Sequence, residues 1–182
     1  MILIYPNYPE YPYIGFKDEN LKTPLTFPKQ HQDVQPGMEY LMNPAPIFDN
    51  PNVISSGKLQ DKVVIISGGD SGIGRAISIL FAKEGADIVI SYLNEHEDAN
   101  NTKKLVEGYG RRCLLIPGDL RDEALSTYIA QTAIDTFGKI DVLINNCGVQ
   151  FPQNSILDIS SQQLRDTFET NIFSFFYLTK AV

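Results

Sequence analysis

The sequence has little of the chemistry that metal sites and disulfides require. Its 182 residues include two cysteines, two histidines and no tryptophan. Cys113 and Cys147 fall on or just after predicted strands, so we expect two buried thiols and not a bridge, as in a protein of a reducing compartment. His31 and His96 lie far apart and outside any cysteine cluster, a pattern that argues against a metal site.

Charge and hydropathy argue against two further classes of partner. The formal net charge is -7, which disfavours nucleic acid and anionic membranes as partners. No apolar run reaches the roughly 20 residues that span a bilayer. The apolar start Met1–Ile4 is broken by Pro6 and has no basic flank. We therefore expect no secretory signal and a cytoplasmic location.

Residues 1–58 differ in composition from the rest of the chain. They hold nine of the eleven prolines and five of the nine tyrosines. Proline removes backbone donors and interrupts regular ladders, so we expect no helix or sheet core in this segment. Two interpretations stay open: an extended arm that lies on a folded surface, and a partly disordered tail.

From residue 59 onward, nearly all-apolar strands alternate with helices. This pattern predicts an α/β fold with a doubly wound parallel sheet of Rossmann type. Right-handed crossovers give the strand order 3-2-1-4, which brings the ends of strands one and four together at the switch point. The predicted strands are Val63–Ser67, Asp87–Ser91, Arg112–Ile116 and Ile140–Asn145, and the predicted helices are Gly72–Glu84, Asn94–Glu107, Asp122–Phe137 and Gln162–Val182.

Local signals mark the ends and faces of these helices. Asn94 is expected to cap the second helix, and Ser160 with Gln163 has the spacing of a capping box. Gly85 and Gly138 follow the first and third helices as C-terminal stops. Helical spacing predicts the buried face of the first helix to consist of Ala76, Ile77, Leu80 and Phe81.

The run Ser67–Gly74 joins the first strand to the first helix through a glycine-rich turn. The first backbone N–H groups of a helix lack intrahelical partners, and the helix dipole favours an anion there. Glycines allow a tight turn and a close approach of the backbone to a pyrophosphate. The spacing Gly68-x-x-x-Gly72-x-Gly74 therefore predicts a phosphate site. The turn lacks the Gly-Lys-Ser/Thr ending of nucleotide-hydrolysing proteins, which disfavours that class.

Four motifs follow one another at predicted strand or helix positions: Ser67-Gly-x-x-x-Gly-Ile-Gly74, Gly118-Asp119-Leu120, Asn145-Asn146-Cys147-Gly148 and Asn171. In this order and spacing, residues 59–182 resemble the short-chain dehydrogenase/reductase family. Together with the segments Phe27–Gln30 and Gln35–Gly37, they resemble a bacterial subgroup with a long N-terminal extension, the general stress or glucose/ribitol-type dehydrogenases. The resemblance implies an NAD(P)-dependent oxidoreductase that acts on CH–OH groups of a small alcohol or carbonyl substrate, and a homo-oligomer.

The resemblance also implies roles for individual residues. Asn171 would be the catalytic asparagine that disturbs its helix and holds a water in a proton relay; the alternative is an ordinary exposed helix residue. Asp119 and Leu120 would contact the adenine ring. Cys147 stands where the family usually has alanine, and we interpret it as packing and not as a nucleophile. The implied cofactor-binding residues are Gly68, Asp70, Ser71, Gly72, Ile73, Gly74, Tyr92, Asp119, Leu120, Asn145, Cys147 and Gly148.

The choice between NAD and NADP stays open at the sequence level. NAD enzymes usually place an acidic residue after the second strand, and NADP enzymes place arginine nearby. The segment Ser91–Asn94 carries neither charge, and Ser71 stands where NADP enzymes often have a basic residue. Glu95 is acidic but lies further along the chain than the usual position of the acidic residue, where it also fits the first turn of a helix.

In the family, a tyrosine and a lysine four residues later carry the proton chemistry. The sole Tyr-x-x-x-Lys of this sequence is Tyr13–Lys17, within the proline-rich arm, and we interpret it as a chance match. The chain is therefore expected to be a truncated product that holds the cofactor half of a dehydrogenase. The alternative is a non-catalytic dinucleotide-binding module or subunit, which the strongly apolar last helix also fits.

Overall fold

The computed structural model describes residues 29–32 and 37–182. The chain divides into two units, Met1–Ile54 and Ser55–Val182. In the described part of the first unit, a 3-10 turn spans Glu39–Leu41, and the Gln32 side chain bonds both the N–H and the carbonyl of Met38. Most of the predicted arm, including the Tyr13–Lys17 match, lies outside the described residues, so its two interpretations stay predictions.

The second unit is built on a four-stranded parallel sheet. Its strands are β1 (Val63–Ser67), β2 (Asp87–Tyr92), β3 (Cys113–Pro117) and β4 (Val142–Ile144). The order is β3-β2-β1-β4, and every pairing is parallel, which confirms the predicted topology. Every residue of β1 and β2 is buried, as expected for central strands covered on both faces.

Helices cover both faces of this sheet. They are α1 (Gly72–Lys83), α2 (His96–Gly108), α3 (Glu123–Phe137), α4 (Ser161–Phe168) and α5 (Ser174–Ala181), with a π-helical turn at Glu169–Phe173 between the last two. Because strand side chains alternate between faces, β1 contributes to two separate cores. Val64 and Ile66 pack in the core that includes Ala82 of α1, and Val63 and Ile65 pack in the core on the other face.

Helix N-termini agree with the sequence analysis at Ser160 and differ from it at Asn94. Ser160 Oγ accepts from the N–H of Gln163 at 3.1 Å, which confirms the predicted cap of α4. Asp122 caps α3 by accepting from the N–H of Ala124. The predicted Asn94 cap is wrong, because Glu95 holds the N-cap position of α2 and makes no capping side-chain bond.

The buried face of α1 agrees with the prediction at Ile77 and Phe81, which pack against the core of Val64 and Ile66, and differs from it at other positions. Leu80 is 43% exposed, whereas Arg75, Ser78, Ile79 and Ala82 are buried. A prediction from hydrophobic spacing considers apolar residues only. It therefore could not identify Arg75 and Ser78, which are buried with hydrogen-bond partners.

The C-terminal helices expose apolar side chains. Four residues along α4, the π turn and α5 are about half exposed or more: Phe168, Ile172, Phe173 and Phe176. Across residues 29–32 and 37–182, no helix has the length and apolar character that crossing a membrane requires. The same described residues contain no group of three His, Cys, Asp or Glu side chains suited to a metal.

Candidate functional site

The glycine turn and the start of α1 lie in direct contact. A Cβ added to Gly74 would come within 1.8 Å of the carbonyl oxygen of Gly68 and within 2.7 Å of Asn146 Nδ2. No side chain fits in that space, so only glycine allows the first turn of α1 to lie against the turn that follows β1. Gly68 itself has φ +63, a backbone conformation that favours glycine.

The N-terminal end of α1 is open on its other side. Gly72 has φ +52, and an added Cβ there would meet no heavy atom within 4 Å. Ile73 is 74% exposed. The N–H of Arg75 donates to the carbonyl of Ser71 at 3.0 Å, so the N–H groups before it belong to the helix end that ordinarily lacks intrahelical partners. This geometry suits an anion that approaches the helix along its axis.

The end of β4 is hydrogen-bonded to the same turn. Ser67 Oγ accepts from the N–H groups of Asn146 at 2.9 Å and of Cys147 at 3.2 Å. The side chain of Asn146 donates to the carbonyls of Ser67 at 3.1 Å and Gly68 at 2.9 Å. The structure therefore joins the first and third motifs at one edge of the sheet. Asn146 and Ser67 are not among the predicted site residues, although both stand inside quoted motifs.

Asn145 and Cys147, which flank Asn146, contact α5. Asn145 Nδ2 donates to Thr179 Oγ1 at 3.0 Å, while its Oδ1 is buried without a hydrogen-bond partner among the described residues. The Cys147 side chain packs against the second core, with Sγ 3.8 Å from Ser174 Oγ. Burial raises the pKa of the Cys147 thiol, so a thiolate is disfavoured there.

Asn171 lies in the π turn and is tied to the segment after β4. Its Oδ1 accepts from the N–H of Val149, and its Nδ2 donates to the carbonyl of Val149, both at 2.8 Å. The N–H of Ser174 donates to Glu169 five residues earlier, which is the bonding of a π-helix. Asn171 is half-buried and doubly bonded, which does not fit the alternative of an ordinary exposed helix residue.

Asn171→Ala is expected to release the segment around Val149. Both hydrogen bonds are lost, each worth about 1 kcal/mol, so hydrogen exchange at the Val149 amide should speed up about tenfold. Asn171→Asp keeps an acceptor for this amide but sets a carboxylate oxygen against the Val149 carbonyl, so its protection should lie between that of the wild type and that of N171A. Amide exchange followed by NMR measures both variants, with the Ile65 amide of β1 as the reference. Equal protection of Val149 in the wild type and in N171A would contradict this role.

The residues after β3 present a carboxylate and a buried leucine. Asp119 accepts from Arg121 Nε at 2.8 Å and from the Arg121 N–H at 3.0 Å. This pairing with Arg121 lowers the pKa of Asp119, so the group is a carboxylate at neutral pH. Leu120 is 8% exposed, and its side chain packs in the core that includes Val63 and Ile65.

The residues near the end of β2 form a partly buried polar group. Asp70, in the glycine turn, is 5% exposed. Burial raises the pKa of Asp70, a hydrogen bond with the Ser71 side chain opposes the rise, and the charge of Glu95 adds to it. Tyr92 is buried as well, and its hydroxyl lies 2.9 Å from His96 Nδ1. The structure thus places Asp70 in the turn and Tyr92 at the end of β2, and the side chains of both residues make hydrogen bonds.

The site thus combines three features: a glycine turn against α1, the end of β4 hydrogen-bonded to that turn, and an asparagine held in a π turn. The pattern of the short chain dehydrogenase family matches residues 62–182. The chain belongs to this family. The match covers all four strands, the glycine turn and Asn171.

Two Bacillus subtilis relatives extend the match to the subgroup. The oxidoreductase YhxC is 58% identical over 157 residues, covering 86% of this chain and 54% of YhxC. General stress protein 39 is 50% identical over the same number of residues, covering 86% of this chain and 55% of that protein. The chain thus spans about half the length of these curated relatives. The likeness to a general stress protein confirms the predicted subgroup.

A solved structure supports the fold. A short chain dehydrogenase from Burkholderia cenocepacia, in complex with NADP, superimposes with a TM-score of 0.65 at 31% identity. The alignment covers 68% of this chain and 50% of that one. The short-chain dehydrogenase fold therefore accounts for the sheet and helices of the second unit.

Proposed function

We propose that residues 59–182 bind a nicotinamide dinucleotide, NAD or NADP, and that the protein is an oxidoreductase for CH–OH or carbonyl groups of small molecules. The observation that carries the proposal is the contact of Gly74 with the Gly68 carbonyl, which leaves the N-terminus of α1 open beside the end of β4. Membership of the short-chain dehydrogenase family supports it, as does the NADP bound to the Burkholderia relative.

The residues of the glycine turn fit a pyrophosphate. Gly72 leaves open space next to the helix axis, and Gly74 lets the backbone of the turn stay close to α1. The N–H groups at the start of α1 would hold the phosphate oxygens, as the helix dipole favours. Ser71 lies at the N-cap without a capping side-chain bond, so its hydroxyl does not occupy the helix end.

The residues after β3 and β4 would hold the two ends of the dinucleotide. Asp119 keeps acceptor capacity for an adenine amine, because a carboxylate has about four lone-pair sites and its side chain is 39% exposed. Asn145 Oδ1, which has no hydrogen-bond partner within the part of the chain that the structure describes, would be a second acceptor. A bound nicotinamide supplies the hydride donor or acceptor. Tyr92 would flank the adenosine end.

Asn171 would act on proton transfer through its main chain. Both ends of its side-chain amide are already bonded to Val149. The contribution of Asn171 to a proton relay therefore falls to its main-chain carbonyl, in a π turn where the regular bonding of the helix is interrupted. The side chain meanwhile fixes the segment after β4 against the helix.

A second copy of the chain is the proposed partner of the C-terminal helices. The half-exposed Phe168, Ile172, Phe173 and Phe176 give α4 and α5 a continuous apolar character that a subunit contact would cover.

Direct titration of the 182-residue chain with NADH and NADPH tests the proposal. The chain has no tryptophan, so the fluorescence of the bound dinucleotide is read without that background. We expect saturable binding without hydride transfer to an added aldehyde, because its sole Tyr-x-x-x-Lys lies at Tyr13–Lys17. Sedimentation of the same sample reports the oligomeric state. ATP with magnesium is the control ligand. Binding of neither dinucleotide would refute the proposal, and turnover would refute the need for a further Tyr-x-x-x-Lys.

A further inference from the structure

A buried polar network connects α2 to the glycine turn. Arg75 Nε donates to Thr102 Oγ1 at 2.9 Å and to the carbonyl oxygen of Asp70 at 3.1 Å. Thr102 Oγ1 in turn donates to the same carbonyl at 2.6 Å. Arg75 Nη2 pairs with Asp98 at 2.9 Å, with the two side chains 7% and 14% exposed. Donors from α1 and α2 thus converge on one carbonyl oxygen of the glycine turn.

The hydrogen bonds to the Asp70 carbonyl also set the direction of the Ser71 N–H. The peptide between Asp70 and Ser71 is planar, so its carbonyl and its N–H point in opposite directions. Two donors, Arg75 Nε of α1 and Thr102 Oγ1 of α2, fix the direction of the Asp70 carbonyl. The N–H of Ser71 consequently points away from these two donors.

Burial makes the arrangement rigid. Thr102 is fully buried, and its hydroxyl accepts from one partner and donates to another in a continuous chain of hydrogen bonds. The Arg75 guanidinium, largely removed from water, requires the Asp98 carboxylate as its charge partner. Rotation of the Asp70–Ser71 peptide would therefore break bonds to two buried groups at once.

We propose that Thr102 and Asp98 of α2 are positioning residues for dinucleotide binding, acting through Arg75 and the Asp70 carbonyl to fix the phosphate-binding turn. The inference rests on the proposed dinucleotide binding and adds α2 to the elements that set its affinity. It differs from a purely structural role in one respect: affinity changes even when the protein is fully folded.

The matched control lies at the opposite edge of the sheet. Asp87, at the start of β2, accepts from Arg112 Nε at 2.8 Å and from the Arg112 N–H at 3.0 Å, and its side chain is 7% exposed. Asp87→Asn therefore weakens the pairing of a buried carboxylate with two arginines, Arg111 (19% exposed) at 3.0 Å and Arg112 (61% exposed) at 2.7 Å. It does so at the amino ends of the strands, away from the glycine turn.

Titration of the 182-residue chain with NADH and NADPH, at a temperature where circular dichroism shows every variant fully folded, tests the proposal. We expect Kd to weaken about three- to tenfold in Thr102→Val, which removes both hydrogen bonds of the hydroxyl, and about tenfold in Asp98→Asn, which removes the charge partner of the buried Arg75 guanidinium. Thr102→Ser, which keeps the hydroxyl, should bind within twofold of the wild type, and D87N should bind like the wild type despite a lower melting temperature.

The outcomes separate the two proposals. Absence of wild-type binding would refute the proposed function, and the inference with it. Wild-type binding with an unchanged Kd in T102V and D98N would refute the inference alone, as would an equal loss of affinity in D87N. If T102V does not fold, the comparison of D98N with D87N decides.

Discussion

Gly74→Ala is expected to abolish dinucleotide binding. The added Cβ would lie 1.8 Å from the Gly68 carbonyl oxygen, a backbone atom that cannot rotate away. The first turn of α1 must therefore move off the glycine turn, at a cost of about 1–3 kcal/mol in the free energy of unfolding. Since the moved turn no longer presents its N–H groups together, Kd for NADH and NADPH should weaken at least about 100-fold.

Gly108→Ala is the matched control for this substitution. Gly108 is the last residue of α2, and an added Cβ there would meet no heavy atom within 4 Å. The same change of side chain should leave Kd unchanged and stabilise the protein slightly, by about 0.4–1 kcal/mol. Fluorescence titration and urea unfolding measure both variants. Wild-type affinity in G74A would show that the contact of α1 with the turn does not form the site.

Asn146→Asp is expected to separate the end of β4 from the glycine turn. The substitution replaces a donor with a carboxylate oxygen that faces two carbonyls, those of Ser67 and Gly68. Two hydrogen bonds are lost and acceptors are left opposed, so the free energy of unfolding should fall by about 2–4 kcal/mol. Dinucleotide affinity should fall about tenfold or more, because Ser67 and Gly68 belong to the turn that is proposed to bind the phosphates.

Asn100→Asp provides the comparison for this effect. Asn100 Nδ2 also donates to a backbone carbonyl, that of His96 at 2.7 Å, but on the exposed surface of α2. The loss of one exposed hydrogen bond should change stability by no more than about 0.5 kcal/mol. Urea unfolding and titration with NADPH measure both variants. A similar loss of stability in N100D and N146D would show that the hydrogen bonds of Asn146 to the turn stabilise the protein no more than an exposed hydrogen bond does.

The sheet and the glycine turn were predictable because their signals are local. Each strand is a short apolar run, and a parallel sheet follows from the alternation of strands with helices. The steric demand on Gly74 is likewise visible as a spacing of glycines. What the sequence could not show is where side chains separated along the chain meet, such as the carboxamide of Asn146 on the carbonyl of Ser67.

Two parts of the site depend on buried polar groups, which periodicity does not detect. The buried face of α1 includes Arg75, whose partners Asp98 and Thr102 lie on another helix. The π turn around Asn171 carries no compositional mark, and only the resemblance to a family indicated a disturbed helix there. The roles assigned to the individual cofactor-binding residues, and the arm and domain boundary at residue 58, stay predictions.

The bonds from Asn146 and Cys147 to Ser67 also have a consequence for the order of folding. Asn146 and Ser67 are 79 residues apart in the chain, and β1 and β4 pair across nearly the same interval, as Val64 with Val142. Closing so long a loop lowers the chain entropy before the contacts that stabilise the pairing have formed. Such parallel pairings therefore form slowly. A nascent chain that has formed β1, β2 and α1 already possesses the glycine turn, but the side of the turn that Asn146 secures is added only when the fourth strand docks.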